Sequence, residues 1–240
     1  MEKKKIIKIY QSKVLQLKKY NQSYFDQNKS LVSDKEFDDL KNEILNLENE
    51  YNFLVSKDSP SQNVGFKPSK NFKKIKHRVS MLSLSNAFSE EDLKNFEKKI
   101  QNFLSENEKF KISYSAEPKI DGISASLTYK KGNFEKGLSR GDGREGEDIT
   151  ANLATIKDIP KKILDKDFPK DIDIRGEVFI KNSDFENLKE KFANPRNAAS
   201  GSLRQKNPED TKKIPLNFIA YAFGFEQGLK QKEQSDYLKY

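Results

Sequence analysis

The chain has 240 residues, enough for one large domain or for a medium domain with a small companion. It carries 45 Lys and Arg against 37 Asp and Glu, and the formal net charge of +8 favours a polyanionic partner such as nucleic acid, although a merely soluble basic surface fits equally. The sequence contains no cysteine, which excludes disulfides and thiolate-bound zinc, and its single histidine, His77, argues against a histidine metal cluster.

No segment of the sequence resembles a targeting or membrane-spanning element. The apolar run at the N-terminus is too short for a secretory signal peptide, and no stretch approaches the roughly 18 consecutive apolar residues of a transmembrane helix. We therefore expect a cytoplasmic protein without a membrane partner.

Two amphipathic helices are predicted within residues 1–56. The second begins with a capping box, in which Ser33 precedes Glu36 by three residues, and it then carries an apolar stripe at spacings of three and four: Phe37, Leu40, Ile44, Leu47 and Tyr51. A similar stripe precedes it: Ile6, Ile7, Tyr10, Val14 and Leu17. The two stripes predict an antiparallel helical hairpin. The start of the second helix is acidic, and the helix dipole accounts for one or two of its carboxylates: Asp34, Glu36, Asp38 and Asp39.

The segment 56–70 is rich in Ser and Pro and lacks periodicity, which places a domain boundary near residue 68. The predicted domains are residues 1–68 and 69–240. A third capped helix is predicted over residues 89–104, with Leu93, Phe96, Ile100 and Phe103 on one face.

From residue 110 onward the apolar residues alternate with a period of two, which is typical of β-strands. The predicted strands cover 110–118, 123–141 with a hairpin turn at Lys131 and Gly132, 172–180 and 216–225. The segment 226–240 is expected to be a helix. The fold class is therefore α+β with an antiparallel sheet.

The stretch "EPKIDGISASL" at 117–127 places Glu117, Lys119 and Asp121 at a two-residue spacing, so that a strand would turn them to one side. Flanking carboxylates raise the pKa of a lysine and favour an ion pair, whereas a nucleophilic lysine needs surroundings that favour the neutral amine. Both interpretations remain open on this stretch alone.

Three further motifs accompany this stretch: "SRGDGREGED" at 139–148, "RGEVF" at 175–179 and "FANPRNAASGSLRQ" at 192–205. Together they resemble the covalent nucleotidyltransferases, and in particular the adenylation region of bacterial NAD-dependent DNA ligase. The resemblance covers essentially the whole chain. It implies a small N-terminal helical domain that binds nicotinamide mononucleotide, followed by an antiparallel-sheet nucleotidyltransferase core of the ATP-grasp-like ligase type. That core is expected to be incomplete at its C-terminus, because two later lysine-bearing motifs of the family are missing.

The resemblance implies a role for each matching residue. Lys119 matches the nucleophile that attacks the α-phosphate of NAD, with Mg²⁺ helping, to form lysyl-AMP and release nicotinamide mononucleotide. Asp121 is expected to assist deprotonation or to steer the amine. The other matches at the adenosine half are a backbone segment at Ser83 and Leu84, an adenine contact at Glu117, ribose contacts at Arg140 and Glu177, and an adenine-stacking ring at Tyr221. An ordinary sheet-core tyrosine is the alternative for Tyr221.

The nicotinamide half is expected to contact the start of the second helix. The matching residues there are Tyr24, Asp34, Lys35, Glu36, Phe37 and Asp38. Carboxylates suit ribose hydroxyls and the cationic pyridinium, and an aromatic face suits the same cation. Several positions depart from the family pattern. Phe25 occurs where the family usually has His or Tyr, and Phe37 where it usually has Tyr. Ser80 replaces a usual Pro, and Asn63 replaces a usual Arg. The two phenylalanines remove polar groups, so nicotinamide binding is expected to be weaker or differently arranged.

The resemblance also implies a nicked double-stranded DNA partner, with roles in DNA replication and repair, for a chain expected to be a monomer. AMP would pass from the lysine to the 5′-phosphate of the nick, so that the 3′-hydroxyl can seal it. Arg196 and Arg204 match duplex contacts, and their alternative is a solvated basic loop. Two other functions stay open: a catalytically silent NAD- or DNA-binding fragment, and an ATP-dependent nucleotidyltransferase.

Overall fold

The computed structural model describes residues 2–26, 31–56, 59, 72–105, 112–230 and 233–238, without the side chains of residues 2, 24–26 and 34. The predictions that concern the side chains of Tyr24, Phe25 and Asp34, and that at Asn63, lie outside this set. No helix among the described residues is long and apolar enough to cross a membrane.

The N-terminal part is the predicted helical hairpin, formed by α1 (Glu2–Asp26) and α2 (Asp34–Glu50) and followed by a 3-10 turn at Asn52–Leu54. The helices are antiparallel, as two contacts between them show. Tyr10 of α1 donates a hydrogen bond to Glu48 of α2 at 2.5 Å. One turn further along α1, Lys13 pairs with Glu43, which comes more than one turn before Glu48 in α2. The predicted stripes face each other around five buried residues: Tyr10, Leu17, Leu40, Ile44 and Leu54.

The capping box of α2 is confirmed. The Ser33 N–H donates to the Glu36 carboxylate at 2.9 Å, and the Glu36 N–H donates to the Ser33 hydroxyl at 3.3 Å. These two bonds satisfy donors that the first turn of a helix would otherwise leave without a partner.

The second part of the chain is built on an antiparallel sheet of four strands: β2 (Ile123–Lys130), β3 (Asn133–Ser139), β5 (Asp171–Phe179) and β6 (Asn217–Gln227). Their order across the sheet is β3-β2-β5-β6. A smaller two-stranded sheet pairs β1 (Lys74–Lys76) with β4 (Glu145–Glu147). The α+β class and the antiparallel sheet are therefore confirmed.

The predicted hairpin turn is also confirmed, between β2 and β3. Lys131 and Gly132 both have positive φ, at 50° and 77°, as a two-residue hairpin turn with the right twist requires. A Cβ on Gly132 would lie 2.3 Å from the carbonyl oxygen of Ile163, so a glycine is needed here for space as well.

Short helices cover the sheet and close the core. They are α4 (Thr150–Leu153), α5 (Asn182–Phe185) with a 3-10 turn at Glu186–Leu188, α6 (Pro195–Leu203), α7 (Pro208–Lys212) and α8 (Gln234–Tyr237). The core includes Ala125, Leu127 and Tyr129 of β2 and Ala198, Ala199 and Leu203 of α6. The segment 192–213 is therefore largely helical, and the solvated loop considered for it is wrong.

The predicted helix at 89–104 is confirmed as α3 (Glu90–Leu104), and Ser89 and Asp92 form its capping box. Its apolar face lies open in the described part of the chain: Leu93 is 56% exposed, Phe96 50% and Phe103 88%. The sequence pattern therefore fixed which residues share this face but not what covers it.

Two element predictions are wrong. Residues 112–122 contain no strand, so Glu117, Lys119 and Asp121 lie on irregular backbone that leads into β2, and residues 110 and 111 lie outside the described set. Pro118 has no N–H to donate to a neighbouring strand, which disfavours a ladder at this point. In the segment 226–240, β6 continues to Gln227, and the described helix is only the four residues of α8.

Candidate active site

A cavity of about 60 Å³ opens where β2 begins and β3 ends. Its wall includes Ser124 of β2, Arg140 just beyond β3, Glu147 of β4, and Arg196 and Arg204 from α6 and its C-terminal end. Sheet and helix thus bring together residues that lie up to 80 positions apart in sequence. Three of the lining side chains are arginines, so the cavity favours an anionic ligand.

Glu177 is the buried carboxylate beside this cavity, with 9% of its surface exposed. The hydroxyl of Ser124, its cross-strand partner in the β2–β5 register, donates a hydrogen bond to it at 2.8 Å. Burial raises the pKa of the Glu177 carboxyl, whereas the hydrogen bond from Ser124 lowers it. Three nearby positive charges also lower this pKa: Arg196, Arg140 and Lys119. The predicted nucleophile and both predicted ribose-binding residues therefore lie within electrostatic reach of one another.

Arg140 is positioned by its backbone as much as by its side chain. Its N–H donates to the Ser124 carbonyl at 3.2 Å, and its carbonyl lies 3.1 Å from the Nε2 atom of His77. Burial lowers the pKa of the Arg140 guanidinium, as does the charge of Arg196, while Glu177 and Tyr221 act in the opposite direction. Arg140, Glu177 and Tyr221 are therefore neighbours, and their contacts with one ligand stay a prediction.

Tyr221 and Glu117 are joined by a residue that the sequence did not single out. The side-chain amide of Gln234, in α8, donates to the Tyr221 carbonyl at 2.8 Å and to the Glu117 carboxylate at 3.0 Å. Burial raises the pKa of the Tyr221 hydroxyl. The two residues predicted to contact adenine are thus brought to the same place, although Glu117 itself is exposed.

Lys119 and Asp121 lie on the irregular segment before β2. Lys119 is exposed, and the side chain of Asp121, 73% exposed, forms an ion pair with Arg196 at 2.9 Å. Asp121 therefore links the lysine segment to the helix α6. The steering role predicted for Asp121 stays a prediction.

The two arginines predicted to contact DNA face the cavity rather than an open basic loop. Arg204 pairs at 3.3 Å with Glu147, whose side chain is 1% exposed, and Arg196 pairs with Asp121. Each retains partial exposure, 31% for the Arg204 side chain and 28% for that of Arg196. Their predicted contacts with DNA stay a prediction.

The Ser83 and Leu84 segment is held at its base by a glycine-rich turn. The Met81 N–H donates to the Gly143 carbonyl at 2.8 Å, and a Cβ on Gly143 would lie 2.6 Å from the Met81 carbonyl oxygen. Gly143 has a φ of 89°, so it is a position where only glycine fits easily. Ser83 and Leu84 themselves are exposed.

In the helical hairpin, the predicted nicotinamide residues other than Tyr24 lie at the start of α2. Glu36 serves the capping box, and the hydrogen bond from the Ser33 backbone lowers the pKa of its carboxyl. Phe37 packs against the hairpin core, Asp38 is half-buried and Lys35 is exposed. Glu36 and Phe37 thus each have a structural role in addition to the predicted contact.

The sequence missed three residues of the site: Ser124, Glu147 and Gln234. Ser124 could have been found only with the β2–β5 register, which places it opposite Glu177. Glu147 lies within a charged motif that gives no sign of which carboxylate is buried. Gln234 lies within the segment 226–240, where the expectation of one continuous helix gives no sign of its contacts with Tyr221 and Glu117. Among the described residues, no group of three or more His, Cys, Asp or Glu side chains could hold a metal ion.

Comparison with known protein families accounts for both parts of the chain. Residues 69–240 match the model of the NAD-dependent DNA ligase adenylation domain, and residues 3–65 match the DNA ligase-like, N-terminal NAD+-binding domain. This chain belongs to the NAD-dependent DNA ligase family. The resemblance found in the sequence motifs is thereby confirmed.

Individual relatives of the chain are named DNA ligase. The DNA ligase of Pelagibacter ubique (strain HTCC1062) is 64% identical over 230 residues, which cover 96% of this chain and 34% of the relative. The DNA ligases of Rickettsia bellii (strain OSU 85-389) and Bradyrhizobium sp. (strain ORS 278) are 46% and 44% identical, over 93% and 94% of this chain. The chain spans about a third of the length of these relatives.

Proposed function

We propose that this chain performs the adenylation step of an NAD-dependent DNA ligase, with Lys119 as the nucleophile. The neutral amine of Lys119 attacks the α-phosphorus of NAD. A phosphorus–nitrogen bond forms, the pyrophosphate bond breaks, and nicotinamide mononucleotide leaves with the bridging oxygen. Because lysine is an ammonium ion in water at neutral pH, one proton must leave its Nζ atom for solvent before the attack, and a second leaves for solvent as the phosphoramidate forms.

The observation that carries this proposal is the clustering of Lys119, Arg140, Glu177 and Tyr221 at one end of the sheet. The charges of Lys119 and Arg140 both act on the Glu177 carboxyl, and the burial of Glu177 strengthens such interactions. Cationic groups around the attacked phosphate would stabilise the charge that develops in phosphoryl transfer. An isolated lysine between carboxylates, without these neighbours, would support only an ion pair.

Mg²⁺ fits this proposal as an ion that arrives with the substrate. It keeps several waters and is usually bound through one or two carboxylates together with substrate phosphates, so a dedicated cluster of protein ligands is not required. Bound to the NAD pyrophosphate, it would neutralise charge on the departing nicotinamide mononucleotide.

For the nicotinamide half, the proposal uses the first turn of α2. The Asp34 and Asp38 carboxylates would accept hydrogen bonds from ribose hydroxyls and attract the cationic pyridinium. This half is the reason to propose NAD rather than ATP as the nucleotide, because ATP has no pyridinium.

The second half of the proposal is transfer of AMP to DNA. Lysyl-AMP would pass its adenylyl group to the 5′-phosphate of a nick in duplex DNA, and the 3′-hydroxyl would then displace AMP. Arg196 and Arg204, which line the cavity beside Arg140, are proposed to hold the phosphate during this transfer.

Labelling with NAD that carries ³²P in its adenylyl phosphate tests the nucleophile. We expect the unmodified chain to retain label through denaturing electrophoresis, and Lys119→Ala and Lys119→Arg to lose it, because neither variant has a primary amine at this position. Lys98→Ala, which removes an exposed lysine of α3, should label normally. Label that persists on Lys119→Ala at the level of the Lys98→Ala control would exclude Lys119 as the acceptor.

A further inference from the structure

A group of exposed lysines lies at the end of the sheet opposite the cavity. We call it the distal lysine patch, and its members are Lys130, Lys131, Lys161, Lys162 and Lys170. Lys130 ends β2 and Lys131 lies in the hairpin turn, whereas the cavity is reached at Ser124, near the start of the same strand. Six residues of extended strand between Ser124 and Lys130 span roughly 20 Å.

Backbone hydrogen bonds hold the patch together from three separate segments. The Lys131 N–H donates to the Lys170 carbonyl at 2.7 Å, and the Phe134 N–H donates to the Lys161 carbonyl at 3.0 Å. Lys162 forms a β-bridge with Asn133. The five lysines are therefore fixed in relation to one another by the fold and are not a chance meeting of flexible loops.

The aspartates near the patch in sequence have hydrogen-bond partners outside it. All four aspartates of the segment 157–171 accept hydrogen bonds: Asp158 from the Phe218 N–H, Asp165 from the Asp167 N–H, Asp167 from Lys230 and Asp171 from Arg78. Asp171, which stands opposite Lys130 in the sheet register, pairs with Arg78 at 2.7 Å and not with that lysine. Within the described part of the chain, no ion pair involves a lysine of the patch.

We infer that the distal lysine patch is a second contact surface for the phosphate backbone of duplex DNA, remote from the nick. The inference rests on the proposed function, which places the nick at the cavity. Lysine ammonium groups bind phosphates as point charges and read no bases, so the patch adds affinity without sequence preference. A duplex that reaches both the cavity and the patch must extend about six base pairs past the nick, at about 3.4 Å per base pair along each strand.

The salt dependence of DNA binding tests the patch. The test variant is Lys161→Gln, Lys162→Gln and Lys170→Gln combined, which changes no residue in the left-handed turn. The control is Lys94→Gln, Lys98→Gln and Lys99→Gln on α3, which removes the same charge. With a fluorescent 40-base-pair nicked duplex, three lost phosphate contacts should reduce the slope of log K against log salt concentration by about 2.7 relative to the control.

Duplexes with shortened arms test the position of the patch. When each arm is cut in turn to four base pairs, the difference between the test and control variants should vanish for one arm and persist for the other. Equal affinity and equal salt slope for test and control on the long duplex would overturn the inference.

Transfer of AMP from NAD separates this inference from the proposed function. The patch variant should label with NAD as the unmodified chain does, because the patch lies away from Lys119. If the patch variant loses salt-dependent DNA binding and the unmodified chain never labels with NAD, the DNA-binding patch is upheld and the proposed adenylation is rejected. Normal labelling with unchanged DNA binding would reject the patch alone.

Discussion

His77 is the residue on which the turn beside Arg140 depends. It is 7% exposed, and its backbone N–H donates to the Arg144 carbonyl at 2.8 Å. The Nε2 atom of its ring lies 3.1 Å from the Arg140 carbonyl oxygen. An Nε2–H tautomer, assigned from this acceptor, donates a hydrogen bond there. A Cβ on Gly146 would lie 3.0 Å from the same nitrogen, so glycine makes room for the ring. His77 thus connects β1 to the backbone of a predicted ribose-binding residue.

The stability of the chain should fall in mild acid because of His77. Burial lowers the pKa of its imidazole, the charge of Arg175 acts in the same direction, and Asp173 and the Arg140 carbonyl oppose it. The unfolded state, with a pKa of about 6.5, therefore binds a proton before the folded state does. Stability from this group is present above that pH and is lost as the pH falls below it, by up to about 1.4 kcal/mol per pH unit.

Urea unfolding at pH 7.5 and pH 5.5 measures this effect. The free energy of unfolding should drop more between these two pH values for the unmodified chain than for His77→Gln, which cannot titrate. Comparison with this variant is needed because burial raises the pKa of Glu177, and that contribution to stability has the opposite sign, increasing as the pH falls. An equal drop in both proteins would contradict the role given to His77.

At the scale of elements, Arg78 joins the segment before Ser83 and Leu84 to the sheet. It binds Asp173 with Nε at 2.9 Å and a second nitrogen at 2.5 Å, and its guanidinium lies 4.2 Å from the ring of Phe225. The Asp173 side chain is 8% exposed and also accepts a hydrogen bond from Thr128 at 2.6 Å. The segment is therefore attached to both β5 and β6 through one side chain.

Arg78→Met should destabilise the chain by about 3 kcal/mol, because it leaves the Asp173 carboxylate buried without its ionic partner. Lys94→Met breaks an exposed pair with Glu90 and should cost less than about 0.5 kcal/mol. Adding Asp173→Asn to Arg78→Met should restore part of the loss, which chemical denaturation of the three variants would measure. A loss for Arg78→Met as small as that for Lys94→Met would show that the pair is not coupled to folding.

The strands that carry an alternating pattern between turn residues were predictable, and so were the three long helices. The segment 112–122 was not, because Glu117, Lys119 and Asp121 show strand spacing while Pro118 interrupts the ladder. Helix α6 carried a recognisable signal, an Asn194 cap followed by Pro195 at the first helical position, which the small residues of its motif concealed. The composition of the site could not be predicted, because it depends on the register between β2 and β5. Ser124 lies opposite Glu177 only through this strand pairing, which no local sequence pattern encodes.

At the scale of the whole molecule, the sheet separates two charged regions. Three arginines, Arg140, Arg196 and Arg204, line the cavity at one end. The distal lysine patch, which forms no ion pair within the described residues, lies at the other end. Family membership and this distribution together support a nucleotide at the arginine end.

The central claim is that the chain takes AMP from NAD, and intact-mass spectrometry tests it most directly. The purified chain is incubated with Mg²⁺ and either NAD or ATP at neutral pH, which preserves a phosphoramidate bond. We predict a mass increase of one adenylyl group with NAD and none with ATP. A gain with ATP, or no gain with NAD from a chain that binds NAD by calorimetry, would contradict the account.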